Sequence, residues 1–419
     1  MKRRLVSLFS GAGGMDLGFE GNFETMRDYL NLKKNAHWVK KDLGKKVILQ
    51  ETPFSTVFAN DILKPAAAAW IPFFKERGHN SQEVFHTESI VDIVKKHRDG
   101  KFNFPKNVDI VTGGFPCQDF SVAGKRQGLK SQKGHNGSTR CNTTIASSEN
   151  RGQLYMWLKE VIEITKPKVF YAENVKGLVS LGDVKQIIEN DFKSIDGEGY
   201  VVVPSQVLNA ADYGVPQNRE RVIFIGFNKK YLKKGIAELL ESNRIPDYIN
   251  PYPQITHYNP LSKNIIQKNQ SLKPYSTCKT AFYKLKEPNE DLDLAQQAYS
   301  KAKFCKGYQG NIEINLNHTS PTIRAEHHGN IEYRRLSKEN GGKYINELKS
   351  KEERRLTVRE CARLQTFPDN YEFVRKLKRT DSYNLSGSGA YKVIGNAVPP
   401  LLAYCLAKRL EEIWDKLFI

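Results

Sequence analysis

Leu5-Val6-Ser7-Leu8-Phe9-Ser10-Gly11-Ala12-Gly13-Gly14-Met15-Asp16-Leu17-Gly18-Phe19-Glu20 sets an apolar run, a glycine turn and a helix-like stretch in succession. Strand, glycine-rich turn and helix in that order form a cradle for a nucleotide-bearing cofactor, because the turn brings backbone N–H groups close to a ligand. Three more apolar runs deliver polar groups at one of their ends. Ser55-Thr56-Val57-Phe58-Ala59 ends at Asn60-Asp61, a place where a carboxylate binds ribose hydroxyls in dinucleotide folds. Val169-Phe170-Tyr171-Ala172 ends at Glu173-Asn174-Val175, and Gln217-Asn218-Arg219-Glu220-Arg221 directly precedes Val222-Ile223-Phe224-Ile225. In open α/β sheets ligands gather outside the carboxyl ends of the strands, so these groups should face one crevice.

The same crevice should receive Gly113-Gly114-Phe115-Pro116-Cys117-Gln118-Asp119-Phe120-Ser121, released from the strand Asp109-Ile110-Val111-Thr112. The paired glycines allow close backbone approach, and Pro116 restricts both its own φ and Phe115. Cys117 is thereby presented on a stiff turn, as a nucleophile would be. A single cysteine after a strand also serves as a small buried hydrophobe, so the choice rests on its neighbours.

The chain has 419 residues and a formal net charge of +19, enough length for two domains and enough positive charge to suggest a polyanionic partner. Met1-Lys2-Arg3-Arg4 leads into a short apolar strand, not the apolar core of a signal peptide, and no run approaches a membrane span. A soluble intracellular protein is expected. The six cysteines contain no C-x-x-C pair, which argues against zinc and against a disulfide framework.

Taken in order, FSGAGG at 9–14, GGFPCQDFS at 113–121, ENV at 173–175, QNRER at 217–221, RECARLQTFPD at 359–369 and GNAVPP at 395–400 resemble the DNA (cytosine-5) methyltransferases of bacterial restriction-modification type. The resemblance runs from about residue 5 to 410, apart from a central variable segment. It implies an α/β fold of the S-adenosylmethionine-dependent methyltransferase (Rossmann-like) kind: a mixed, mostly parallel sheet flanked by helices. A smaller, irregular target-recognition domain would complete it, with double-stranded DNA in the cleft between. By the same resemblance Phe9, Gly11, Gly13, Gly14 and Asp16 line the S-adenosylmethionine site with Asp61, Pro116, Leu154 and Asn396. Two positions depart from the family: Ile62 stands where an aromatic neighbour is usual, and Ser89-Ile90 stands where many relatives carry Asp-Ile. Serine can still accept a hydrogen bond.

The implied reaction is methyl transfer to carbon 5 of cytosine, with Cys117 attacking carbon 6 and Glu173 bonding N3 and the amino group of the base. Arg221 would hold the cytosine carbonyl or its phosphate, and Arg219 would support the nucleophile loop. Because the target atom is hidden in a stacked duplex, the base must be flipped out. Gln118, Ser121, Lys125, Arg126 and Gln217 are the expected DNA contacts, with 122–128 as the clamp.

Residues 1–228, completed by 390–419, are expected to form the catalytic and cofactor-binding domain, and 229–389 the target-recognition domain and return segment. The polar, lysine-rich 21–54 reads as a surface insertion and 131–150 as a mobile loop. Thr357-Val358-Arg359-Glu360 is a capping box, with Arg359 also placed to meet phosphate. Leu402, Leu406, Leu410, Ile413 and Leu417 mark one face of a final helix. A monomer of the bacterial cytoplasm, associated with nucleoid DNA and paired with a restriction endonuclease of the same site, completes the expectation. Two rivals remain: a tRNA methyltransferase, whose branch carries a Cys-Phe-Thr sequence missing here, and a catalytically silent scaffold, which would have eroded the cysteine loop or ENV.

Overall fold

The computed structural model describes residues 2–116, 154–197, 199–262, 271–301, 313–325, 333–334, 338, 341, 354–375 and 384–419. Seven strands form the central sheet: β1 (Arg3–Leu8), β2 (Phe54–Asn60), β3 (Phe85–His86), β4 (Ile110–Gly114), β5 (Val169–Val175), β6 (Tyr200–Asn209) and β7 (Glu220–Asn228). Their spatial order is β3-β2-β1-β4-β5-β7-β6. The pairs β3/β2, β2/β1, β1/β4 and β4/β5 are parallel, while β7 runs antiparallel to both β5 and β6. One reversed strand in an otherwise parallel sheet is the mixed arrangement expected from the sequence.

Both faces of the sheet are covered, and side-chain alternation along each strand feeds two cores. Leu5, Ile110, Tyr171 and Ile223 join the larger core, which includes helices α1 (Gly14–Glu20) and α2 (Lys64–Glu76). Their neighbours Val6, Val111, Phe170 and Val222 join the second, built on α3 (Ile90–Arg98), α4 (Leu154–Thr165) and α5 (Val184–Lys193). Three helices from the C-terminal third complete the first layer: α6 (Val358–Leu364), α7 (Gly387–Asn396) and α8 (Pro400–Leu417). All five leucine and isoleucine positions foreseen for the last helix are buried. Its Trp414 also lies 4.2 Å from the Arg3 guanidinium, a cation–π contact at the start of β1. The capping box of α6 is present in both directions.

Two expectations need correction. Residues 21–54 do not form a loose surface insertion: Glu24–Met26, Lys46–Leu49 and Val39–Asp42 make a three-stranded antiparallel sheet. It buries Phe23, Met26, Trp38, Val47 and Leu49 in the main core, with Trp38 edge-on to Tyr404 at 5.4 Å. Each such side chain gains roughly 1.5–3 kcal/mol over exposure, which holds the segment against α8. Lys33, Lys40, Lys41 and Lys45 are exposed, whereas Lys46 is half-buried between Glu24 and Asp369. Arg359, expected to be free for phosphate, is 3% exposed and donates from Nε to Asp293 Oδ2 at 2.5 Å.

Between β7 and α6 the described residues carry short elements only, as the lack of periodicity implied. Ile249, Cys278, Phe282, Ile314 and Ile323 nevertheless pack into the same core as β1 and α1. No separate core forms among the described residues of this segment.

Candidate active site

The carboxyl ends of β1, β2, β4 and β5 open on one cavity of about 760 Å³. At one end lies the glycine loop. Phe9, Gly11 and Gly13 all have positive φ, at 54°, 55° and 69°. A non-glycine residue in that region is strained, and such strain gathers at binding sites. Asp61, at the end of β2, closes the loop: Oδ2 accepts from the Gly11 N–H at 2.9 Å and Oδ1 from the Leu63 N–H at 2.8 Å. Burial pushes Asp61 up to about 6 although both hydrogen bonds favour the carboxylate. The apolar Ile62 lies beside it, 43% exposed toward the cavity.

At the other end stand Glu173 and Arg221. Glu173 lies at the end of β5, opposite Gly114 of β4 and Ile223 of β7. A Cβ on Gly114 would come within 2.9 Å of Glu173 Oε2, so the glycine makes room for the carboxylate. Arg221 Nε reaches Glu173 Oε1 at 2.7 Å. Glu173 is only 7% exposed, and burial raises its pKa despite the nearby guanidinium groups of Arg221 and Arg219. A carboxyl pushed toward its neutral form, yet paired to a cation, can share a proton with a bound base. Next to it, Asn174 Nδ2 donates to the Phe115 carbonyl at 3.2 Å, fixing the turn that leads to Pro116.

The cavity wall therefore includes Phe9, Gly11, Gly14, Asp61, Ile62 and Ser89 of the expected cofactor set. Ile90, Pro116, Leu154 and Asn396 lie on it as well, with Glu173 and Arg221 of the catalytic set. Cys117, Gln118, Ser121, Lys125, Arg126 and the segments 122–128 and 131–150 lie outside the described residues.

Four expected site residues are not on the cavity wall. Gly13 faces away from it: a Cβ there would strike the Trp70 ring at 2.6 Å. Asp16 is fully buried and accepts from Trp70 Nε1 at 2.6 Å; burial pushes it up to about 7. Gln217, expected on DNA, is 0% exposed; its Nε2 donates to the Leu364 carbonyl and Gln365, and its Oε1 accepts from the Ile323 N–H. Arg219 is equally buried and donates to the carbonyls of Ile323 at 2.9 Å and Gly395 at 2.7 Å. It braces the strap 320–325 against α7; whether it also supports the cysteine loop falls outside the described residues.

The structure adds residues to which the sequence assigned no role. Lys392 and Arg324 bring two cations to the cavity, and Asn174 and Thr322 add polar groups. Lys392 stands four residues before Asn396, so helical spacing alone places both on one face of α7. No cluster of metal-ligating side chains occurs among the described residues.

The cavity suits an adenosyl sulfonium ligand. An acid at the end of β2 faces the cavity beside an apolar platform, and Gly11 has nothing within 4 Å of where a Cβ would sit. The space also continues without a wall to Glu173. A cofactor site that opens onto a buried acid with a guanidinium partner defines a group-transfer enzyme of the methyltransferase fold.

Residues 3–412 match the family of C-5 cytosine-specific DNA methylases, and the chain belongs to it. It is a DNA (cytosine-5-)-methyltransferase that uses S-adenosylmethionine as methyl donor. Among curated relatives, the Type II methyltransferase M.BspRI of Lysinibacillus sphaericus is 32% identical over 98% of this chain and 82% of its own. M.BsuRI of Bacillus subtilis is 30% identical over 98% and 80%. Of solved structures, the Entamoeba histolytica methyltransferase EhMeth aligns with a TM-score of 0.56 at 14% identity, covering 99% of each chain. The S. pombe Dnmt2 methyltransferase gives 0.53 at 15%, covering 98% of this chain and 99% of its own. At those identities the likeness speaks for the fold alone. No helix among the described residues is long and apolar enough to cross a membrane.

Proposed function

We propose that this chain is the modification enzyme of a type II restriction-modification pair, methylating one cytosine within a short duplex site and so protecting it from a cognate endonuclease. The observation that carries the chemistry is the Glu173–Arg221 pair, 2.7 Å apart, in the same cavity as the glycine loop and Pro116, the residue that precedes Cys117. S-adenosylmethionine supplies a methyl group carried on a sulfonium.

Phe9, Gly11, Asp61, Ile62, Ser89 and Asn396 would hold that cofactor, with the Asp61 carboxylate turned to the ribose hydroxyls. The Cys117 thiolate adds to carbon 6 of a flipped-out cytosine, moving electron density onto carbon 5. Glu173 gives or shares its proton at N3, so the adduct does not carry a full negative charge, and Arg221 keeps the carboxyl in place. Once carbon 5 has taken the methyl group, its proton passes to a base, N3 returns the shared proton to Glu173, and the re-formed carbon 5–carbon 6 double bond expels the thiolate. Within 229–389, the residues ahead of the return segment that carries α6 would read the target sequence, and the basic surface would hold the phosphates.

The test is bisulfite sequencing of DNA from a methylation-free bacterial host expressing the chain, beside a Cys117→Ser control. Protection of cytosines in one short motif, absent from the control, is expected. Equal protection in the control would overturn the covalent mechanism, and no protection from soluble protein would overturn the assignment of this site to DNA.

A further inference from the structure

The glycine loop packs three left-handed residues into five positions, closed by one internal bond, from the Gly13 N–H to the Ser10 carbonyl at 2.8 Å, and from one side by Asp61. Its underside rests on two aromatic residues that line no part of the cavity. Tyr371 is 0% exposed and its hydroxyl donates to the Ala12 carbonyl at 2.7 Å, across 359 positions of sequence. The ring is gripped between Phe73, stacked at 4.1 Å, and Phe373, stacked at 4.5 Å. Trp70 is equally buried and lies directly under Gly13 together with Phe74, which stacks on it at 4.1 Å. Its Nε1–H is donated to Asp16, two residues past the loop.

We propose that Tyr371 and Trp70 are positioning residues for cofactor binding, holding the loop 10–14 from beneath in the shape that takes S-adenosylmethionine. The inference rests on the reading of the cavity given above. Each aromatic residue is fixed by its own stack, so the loop has a rigid base although its own conformation is strained. Without the Tyr371 hydroxyl, the buried Ala12 carbonyl loses its donor and the loop gains a reason to rearrange toward another. A protein whose binding shape is only partly populated binds with an affinity reduced by that fraction. Neither residue touches Glu173 or Arg221, so the chemical step should be untouched once the cofactor is bound. Tyr371 follows α6 in the return segment, so this brace also ties the far end of the chain to the cofactor loop.

The experiment is calorimetric titration of the full chain with S-adenosylmethionine and with S-adenosylhomocysteine, joined to steady-state methylation kinetics. Tyr371→Phe and Trp70→Phe should each weaken cofactor binding about three- to tenfold, the size of one lost net hydrogen bond. KM for the cofactor should rise by the same factor while kcat stays unchanged. Tyr200→Phe removes an equally buried hydroxyl, bonded to the Pro167 carbonyl at 2.8 Å on β6, and should leave cofactor affinity as it was. Unchanged affinity in both brace variants, or an equal loss in Tyr200→Phe, would overturn the inference. Asp61→Ala tests the cavity itself. If it binds the cofactor as tightly as the natural protein, the site reading fails and the brace with it. If it loses affinity while the brace variants do not, only the brace is overturned.

Discussion

Replacing Asp16 by asparagine should make the protein more stable above neutral pH, and the gain should shrink steadily as the solution is acidified. Asp16 is fully buried at the start of α1; Trp70 Nε1 donates to one oxygen and the other has no hydrogen-bond partner among the described residues. Burial, opposed by Ser7, Trp70 and the more distant His79 and reinforced by Glu20, raises it from 3.8 to about 7. A carboxyl with a raised folded pKa favours the fold fully below its unfolded value and loses that contribution as pH rises through the folded one. Between pH 4.5 and pH 8 the natural protein should therefore lose about 3 kcal/mol relative to Asp16→Asn, because roughly 2.4 pH units of the titration difference fall inside that window at 1.36 kcal/mol each. Asparagine keeps an oxygen for Trp70 and has no charge to bury. Urea unfolding of both proteins at both pH values measures the difference, and groups common to the two, including Glu20, His79 and Arg77, cancel. A gap that stays constant with pH, or that narrows as pH rises, would show that Asp16 is ionised throughout and that the argument from burial is wrong.

Glu173→Gln keeps the shape of the side chain but removes the transferable proton; turnover should fall by about 10²–10⁴, the usual worth of a positioned acid, while calorimetric cofactor affinity holds. Gln217→Ala leaves the Ile323 N–H and the Leu364 carbonyl without their partner, so chemical unfolding should show a loss of about 1–3 kcal/mol. The slope of DNA affinity against salt should not move in that variant, because Gln217 meets no phosphate. Gly395→Ala would set a Cβ 2.3 Å from the Arg324 carbonyl group, backbone against backbone. A lowered melting temperature and loss of methylation together are expected, and native-like values of both would show that the strap 320–325 can move aside.

Five of the seven central strands were readable in the sequence as apolar runs, three of them bounded by a group on the cavity wall: Asp61 after β2, Glu173 within the end of β5, and Arg221 at the start of β7; the two-residue β3 and the edge strand β6 went unread. The cavity wall was readable from the same stops. Asp16 and Gln217 lie off the cavity wall for one shared reason: a polar residue inside a motif looks the same whether it touches a ligand or holds the backbone that does. Only burial tells the two apart, and burial belongs to the tertiary structure. The three-stranded sheet within 21–54 was hidden because lysines interrupt its short strands, although Phe23, Trp38, Val47 and Leu49 carried the apolar signal. Lys392 could have been found from its spacing to Asn396, whereas Tyr371 and Trp70 act on a loop far away in sequence and leave no local trace.

The strap at 320–325 is held largely through its main chain, the Thr322 hydroxyl on the Asn218 carbonyl and the buried Ile323 side chain being exceptions. Arg219 takes the Ile323 carbonyl, Gln217 takes the Ile323 N–H, and the Asn218 N–H meets the Ser320 carbonyl at 2.9 Å. Gly395 fits against the backbone of Arg324 and Ala325. A socket that grips peptide groups is indifferent to most of the side chains passing through it. The segment running from β7 up to this strap can thus change its composition without spoiling the joint that seats it. Under the function proposed above, such a fastening would let different target-reading segments be seated on one catalytic body.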